Sequence, residues 1–283
     1  MRKTFRSVWA MTAANLDAWL RSPRTLLMVL FVVAICYLQG QGVARTLADT
    51  GRSLHFGETL FYELNFGAGV NMTSILFLMM VSEIPRRIGF QNAMLIRATR
   101  MKWLASQLLY CLLAALFMLL FVTFWIVVFT LPAVTPGSGW SDAQRALASG
   151  IEPHDALISP IIRASFSPFA ACLIAMTPLL LFWFTMVCVI LLFSLFGASI
   201  AGVLLYVFLL VANVTVLFEV FPGMSMPVHY ATLRGIFAVF NYEELYGFRR
   251  TVMGYGVLIA ALIGIMALRV KSTELVFTAA QKE

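Results

Sequence analysis

The chain has 283 residues, of which 61% belong to the hydrophobic AVILMFWYC set and only 12% are charged. A soluble domain typically has about 25% charged residues, and a soluble globule of 31.5 kDa could not bury this much apolar surface. The same figures exclude disordered, collagen-like and disulfide-rich secreted classes. A mean hydropathy of +0.90 and a net charge of +7 therefore indicate a basic, polytopic membrane protein.

The first 24 residues predict an amphipathic helix that lies in the membrane interface, a type often called an elbow helix. Its apolar side chains recur at three- and four-residue spacing, its cations occupy the remaining positions, and Ser22-Pro23 ends it. Tryptophan on an apolar face with cations beside it is typical of interfacial helices. The apolar side chains predicted to share one face are Phe5, Val8, Trp9, Leu16, Trp19 and Leu20.

Six apolar stretches follow and predict six membrane-spanning helices within one all-α domain, 1–283. A helix needs roughly 20 apolar residues to cross a hydrocarbon core about 30 Å thick. The second stretch is the shortest, the fourth contains Pro178, and Leu195–Gly197 is the whole link between the fourth and fifth, which predicts a tight helical hairpin. The stretches cover approximately residues 25–43, 66–82, 103–131, 168–194, 198–220 and 252–268.

The basic residues predict that both termini are cytoplasmic, since Lys and Arg are retained on that side of a membrane. With the N-terminus inside, the inner segments hold 13 of the 20 basic residues and only 4 acidic ones, whereas the outer segments together with Glu219 hold 7 basic and 9 acidic residues. Anionic lipid headgroups or a cytoplasmic partner then explain the basic charge, and no nucleic acid is needed.

The segment between the second and third spans, Glu83–Lys102, is the most informative link. It holds five cations and one carboxylate in 20 residues, and Asn92–Arg100 predicts a short helix with Arg97 and Arg100 on one row. One interpretation is a docking helix for a cytoplasmic partner. The alternative is a basic loop that only fixes the topology.

The predicted outer segments are 43–65, 131–166 and 221–250, and the last contains two candidate short helices, 228–240 and 243–248. The three histidines lie on different outer segments, and the four cysteines lie in apolar stretches without paired spacing. We therefore expect no metal site and no disulfide framework, and buried cysteine side chains.

Catalytic motifs are missing from the sequence. The spans contain no Ser-His-Asp set or clustered carboxylates, and the only Lys-Ser/Thr pairs, Lys3-Thr4 and Lys271-Ser272, do not follow a glycine as in a P-loop. We therefore expect that the chain is not an enzyme and binds no cofactor. Polar groups within the spans are the candidates for a substrate path: Asn71, Asn213 and Glu219.

Small residues follow one face of the last span: Gly256, Ala260, Gly264 and Ala267. Such a face lets another helix approach closely. Packing within the chain and a seam with a second copy explain it equally well.

Together these features resemble the permease subunit of type-2 ABC exporters, over essentially the whole chain at the level of layout. The stretch Glu83-Ile-Pro-Arg-Arg, followed by Leu95-Ile-Arg-Ala-Thr-Arg-Met-Lys-Trp103, is similar to the family's acidic-then-basic coupling segment, although the family's Gly-Thr is here Gly89-Phe90. The resemblance implies a coupling helix that docks on a separate ATPase. The docking residues it implies are Glu83, Arg86, Arg87, Asn92, Arg97 and Arg100.

The same resemblance implies the partners and the location. ATP and Mg would bind to the partner ATPase subunits, a second permease chain, identical or homologous, would complete the substrate path, and the complex would lie in the cytoplasmic membrane of a prokaryote. A non-transporting membrane scaffold or sensor, and a secondary transporter, are the alternative functions. Secondary transporters often carry internal repeats, and we find none between the two halves of this sequence. The substrate stays open.

Overall fold

The computed structural model describes residues 2–50, 54–65, 67–82, 84, 99–135, 137, 139–141, 165–214 and 246–272. Most of these residues are helical. The elements in chain order are α1 (Arg2–Leu20), α2 (Pro23–Thr50), β1 (Leu54–His55), α3 (Phe56–Asn65), α4 (Gly67–Val81), α5 (Arg100–Thr130), a 3-10 turn (Leu131–Ala133), β2 (Val134–Thr135), α6 (Pro168–Leu195), α7 (Ser199–Val214) and α8 (Tyr246–Ser272).

Among the described residues, four helices are long and apolar enough to cross a membrane, which is the architecture of an all-α membrane protein. They are α5, α6, the first part of α2 and α8 from Phe248 onward. Apolar stretches in α4 and α7 are shorter. With 15 and 16 residues, these two helices are roughly 22 and 24 Å long at 1.5 Å per residue. That α4 and α7 also span the membrane, which would make six spans, therefore stays a prediction.

The helix boundaries differ from the predicted spans mainly at two places. Helix α2 continues to Thr50, and α8 begins at Tyr246 rather than near residue 252. Residues 246–248 are therefore the first turn of α8 and not the end of a separate short helix. The predicted outer helix 228–240 and the predicted coupling helix 92–100, apart from its last two residues, lie outside the described residues.

Helices α5 and α6 form the centre of the bundle. In α6, the side chains from Ala171 to Leu191 are largely buried and Pro178 lies within the helix, also buried. Helix α5 packs against α1, α2, α6 and α8. All four cysteines are buried in this bundle, as predicted: Cys36, Cys111, Cys172 and Cys188.

The hairpin between α6 and α7 is as tight as predicted. Gly197 has φ +77°, a left-handed conformation that glycine adopts without steric cost, and the N–H of Ala198 donates to the carbonyl of Phe193 at 2.9 Å. Gly202 lies against the preceding helix, where an added Cβ would lie 3.0 Å from the Phe193 side chain. A side chain at Gly202 would push α6 and α7 apart.

The bundle has two ends, which are named here after α1 and α3, the helices that lie there. At the α1 end, Trp19 reaches Met80 in the last turn of α4, and the Arg269 guanidinium lies 4.7 Å above the Phe196 ring at the α6–α7 turn. At the α3 end, Gly57 packs against Pro168 at the start of α6. The chain therefore crosses between these two ends.

The charges of the described helices differ sharply between the two ends. By their positions in the helices, the α1 end has nine cationic residues and one acidic one: Arg2, Lys3, Arg6, Arg21, Arg24, Arg100, Lys102, Arg269 and Lys271, with Asp17. The α3 end has three of each: Arg45, Arg249 and Arg250, with Asp49, Glu58 and Glu63. In the described part of the chain, no charged residue lies between the two ends.

Helix α1 is amphipathic, and only part of its predicted apolar face is packed against the bundle. Trp19 is fully buried against the bundle, whereas Phe5, Trp9 and Leu20 are 67%, 48% and 45% exposed. Met11, Thr12 and Asn15 complete the packed face. The exposed apolar stripe lies between this packed face and the cations, which is the arrangement expected of an interfacial helix.

Candidate functional site

The three residues predicted for a substrate path are described to different extents. Asn71 is buried in the first half of α4. Asn213 lies in the last turn of α7 and Glu219 lies beyond the described residues; the side chain of Asn213 is not described. Helices α4 and α7 pack together and run in opposite directions, so Asn71 and Asn213 both belong to the half of the bundle nearer the α3 end.

Nearer the middle of the bundle, three polar side chains form what we call the central cluster: Ser74, Trp183 and Tyr206. The Trp183 indole N–H donates to Ser74 Oγ at 2.8 Å, and the Tyr206 hydroxyl donates to the Ser74 carbonyl oxygen at 3.1 Å. All three residues are fully buried. One serine thus joins α4 to α6 and to α7.

Aromatic rings enclose the central cluster. Phe77 stacks on Trp183 with ring centroids 5.2 Å apart, and Phe182 stacks on Tyr206 at 6.1 Å. A serine hydroxyl that accepts an indole N–H has no general base beside it in these contacts, so the cluster lacks the arrangement of a nucleophilic site. In these contacts it is a buried hydrogen-bonded joint between α4, α6 and α7.

The sequence pattern left two interpretations open for Thr73 and Ser74, a place near a seam with a second chain or a local hydrogen bond to a helix carbonyl, and it did not single out Trp183 or Tyr206. The Thr73 hydroxyl makes a local hydrogen bond, to the Val70 carbonyl at 3.1 Å. A signal was available, because Trp and Tyr prefer the ends of spans and these two lie in the interiors of apolar helices. A ring N–H or O–H at that depth requires a partner.

A second polar arrangement, the α3 clasp, lies at the α3 end and comprises His55, Glu58, Gly139, Trp140 and Ser141. Glu58 is fully buried; its carboxylate accepts hydrogen bonds from the backbone N–H of His55 at 2.8 Å and from that of Ser141. The His55 Nδ1 lies 2.5 Å from the Gly139 carbonyl oxygen. The clasp therefore ties the start of α3 to a segment more than 80 positions later in the chain.

The clasp is built on local helix chemistry. His55 precedes the first residue of α3 and Glu58 is its third residue, so the Glu58 carboxylate closes back on the N–H before the helix, as in a capping box. The parallel pair β1–β2 aligns His55 with Thr135. The Trp140 indole N–H donates to the Phe166 carbonyl at 2.8 Å, and this hydrogen bond ties the residues just before α6 to the clasp.

Among the described residues, no group of three His, Cys, Asp or Glu side chains could hold a metal ion. Because Glu58 accepts from backbone N–H groups on two segments, its role in the clasp is structural. Sequence reasoning missed this carboxylate, although a Glu three residues into an apolar helix after a polar residue is a capping signal.

The predicted docking residues are mostly outside the described part of the chain. This applies to Glu83, Arg86, Arg87, Asn92 and Arg97. The sixth, Arg100, is exposed and is the first residue of α5 at the α1 end, after the N-cap Thr99. One of the six predicted docking residues, Arg100, therefore lies at the cationic α1 end.

The small-residue face of α8 points away from the other described helices over most of its length. Gly256, Ala260 and Gly264 are exposed, and a Cβ added at either glycine would have no atom within 4 Å. Ala267, further along, is half-buried. Packing among the described residues of this chain therefore does not explain the two glycines.

Comparison with protein-family models and with curated proteins finds no match for this chain.

Proposed function

We propose that the chain is the membrane-spanning permease subunit of an ATP-driven exporter of the ABC type. The observation that carries the proposal is the α1 end of the bundle. Nine cationic residues of the described helices lie there. The basic segment Glu83–Lys102 begins just after α4 ends and continues into the first turn of α5, at that same end. Cations mark the cytoplasmic side of a membrane protein, which is where an ATPase partner is found.

The basic segment is the part that docks on the ATPase. It carries five cations and one carboxylate, so an acidic groove on the partner would attract it and orient it. The partner supplies the ATP site and Mg, since this chain has no P-loop sequence. Arg100 and the five other predicted docking residues are the groups proposed to touch the partner.

The central cluster gives a route by which movement of this segment would reach the rest of the bundle. Helix α4 leads directly into the segment, and Ser74 in α4 bonds both Trp183 in α6 and Tyr206 in α7. A shift of α4 therefore has to move α6 and α7 with it or break two buried hydrogen bonds. Asn71, Asn213 and Glu219 are the proposed polar groups of the path.

A second permease chain forms the other wall of that path. The centre of this bundle is filled by the close-packed side chains of α5 and α6, so a sizeable substrate needs a passage outside it. The exposed glycines of α8 support a close approach by another helix. The second chain, identical or homologous, would pack there.

In this proposal the complex lies in the cytoplasmic membrane of a prokaryote. Both termini are cytoplasmic, and α1 lies in the inner interface with its exposed Phe5 and Trp9 among lipids. The α3 clasp then faces the outside.

Co-purification tests the proposal. An affinity-tagged chain extracted in mild detergent should bring down a P-loop ATPase, and the double charge reversal R97E/R100E should reduce the yield of that protein while the chain still inserts. The matched control is R249E/R250E, which makes the same charge change at the opposite end. Failure of the tagged native chain to capture any nucleotide-binding protein would contradict the proposal, as would equal capture by R97E/R100E.

A further inference from the structure

Helix α1 contacts both α4 and α5, the two helices that the basic segment connects. Its Thr12 hydroxyl shares its hydrogen between the Val8 carbonyl of α1 at 3.0 Å and the Ser106 carbonyl of α5 at 3.2 Å, and its Trp19 indole N–H donates to the Met80 carbonyl of α4 at 3.1 Å. The Trp19 ring also meets Tyr110 and Phe117 of α5 edge-on, with centroids 6.3 and 5.5 Å apart. One side chain thus touches α4 and α5 together.

The contact with Met80 satisfies two groups that otherwise lack partners. The carbonyls of the last turn of a helix have no intrahelical donor, and Met80 is the penultimate residue of α4. The indole N–H of a fully buried tryptophan needs an acceptor as well. Losing this hydrogen bond would leave both groups unsatisfied inside the protein.

The position of these contacts is the important feature. Val81 ends α4, Ser82 and Ile84 follow, and the described chain resumes at Thr99, the N-cap of α5. We call Ser82 and Thr99 the two roots of the basic segment. Trp19 bonds α4 two residues before one root, and Thr12 bonds α5 seven residues after the other.

We propose that α1 is a clamp that fixes the separation of the two roots, with Trp19 as the positioning residue. The clamp itself does not depend on the identity of the partner. Its consequence, that α1 presents the basic segment to an ATPase in one geometry, rests on the proposed function. A polar and aromatic interface made by a helix that precedes both roots in sequence gives α1 a role beyond that of a lipid anchor.

The matched control lies on the same helix. Trp9 is 48% exposed, whereas Trp19 has no exposed surface. Substitution of each tryptophan by phenylalanine removes the same N–H, but only W19F breaks the bond to Met80. Substitution by alanine removes the ring as well. The pair therefore separates the clamp from a general loss of tryptophan.

The experiment measures the distance between spin labels at S82C and T99C in lipid nanodiscs, in a background whose four buried cysteines are replaced by alanine or serine. We expect one narrow distance distribution in the parent and in W9F, a broader or shifted one in W19F, and a larger change in W19A. Overlapping distributions for W19F and W9F would overturn the clamp. If W19A does not fold, W19F and T12V still decide the matter, since both keep most of the side-chain volume.

A second measurement on the same variants separates the two proposals. If the native chain captures an ATPase, W19F should reduce that capture and W9F should not. A native chain that captures no ATPase contradicts the proposed function but leaves the distance measurement valid. A broadened distance with undiminished capture would keep the clamp and refute its role in presenting the segment.

Discussion

The buried carboxylate of Glu58 accepts a hydrogen bond from the backbone N–H of Ser141, 83 positions later in the chain. Its other oxygen accepts from the N–H of His55, directly before α3. Both of these partners are backbone donors, and the two segments that carry them are separated in sequence by α3, α4 and α5. The α3 clasp depends on this one side chain having two acceptor oxygens.

We therefore expect E58Q to destabilise the protein. Glutamine offers one acceptor oxygen, and its NH₂ group would face a backbone donor. The expected loss is about 1.5–3 kcal/mol in the free energy of unfolding, the range for hydrogen bonds to charged groups. Unfolding in mixed detergent and SDS micelles measures it. D17N, which breaks only the exposed ion pair with Arg21, should change the value by about 0.5 kcal/mol or less. Equal effects of the two variants would refute the role of Glu58.

The central cluster predicts energetic coupling between Ser74 and Trp183. In S74A the Trp183 N–H keeps no acceptor, and in W183F the Ser74 hydroxyl loses its donor. A double-mutant cycle of unfolding free energies should give a coupling of about 0.6 kcal/mol, the average for hydrogen bonds between membrane helices. The control cycle pairs W183F with S82A, which removes a hydroxyl that donates to the Met79 carbonyl in its own helix. The prediction fails if the two cycles give the same coupling.

The charge difference between the two ends predicts the orientation. Thr135 and Thr99 are both exposed and lie at the α3 end and the α1 end, respectively, and all four cysteines in the chain are buried. An impermeant thiol reagent added to intact cells should label T135C. It should label T99C only after the cells are opened. The reverse pattern would place the cationic end outside and would remove the basis for a cytoplasmic docking segment.

The sequence predicted the parts of the fold that local physics dictates. The long apolar runs became α2, α5, α6 and α8 because a span must match the thickness of the hydrocarbon. The short link at Gly197 became a tight turn because glycine tolerates the left-handed conformation it requires. Burial of the four cysteines followed from their apolar surroundings.

Contacts between distant residues were not predictable in this way. Glu58 accepts from Ser141, 83 positions away, and Ser74 accepts from Trp183, 109 positions away. Helical spacing groups the apolar residues of α1 on one face but does not show which of them contact a neighbouring helix. Trp19 and Phe5 were predicted on that face, yet Trp19 is buried against α5 and Phe5 is exposed. The candidate docking site rests on the charge pattern and on the family resemblance, and it stays a prediction.

The exposed glycines of α8 predict an interface with a second permease chain. A leucine side chain at Gly256 and Gly264 would hold the second helix away, so G256L/G264L should reduce the fraction of paired chains in detergent or nanodiscs. The matched control is G254L, since Gly254 is also exposed with open space around it but lies off the stripe. Cross-linking followed by gel analysis gives the paired fraction. Equal pairing in both variants would place the interface elsewhere.

The mass of the intact complex tests the central claim most directly. The chain, tagged and purified from its native membrane with bound lipids, is measured by native mass spectrometry. We predict an assembly that contains two permease chains, one of them this 31.5 kDa chain, and two copies of a P-loop ATPase. A complex with this chain and no nucleotide-binding subunit, or a lone chain that still transports, would contradict the account.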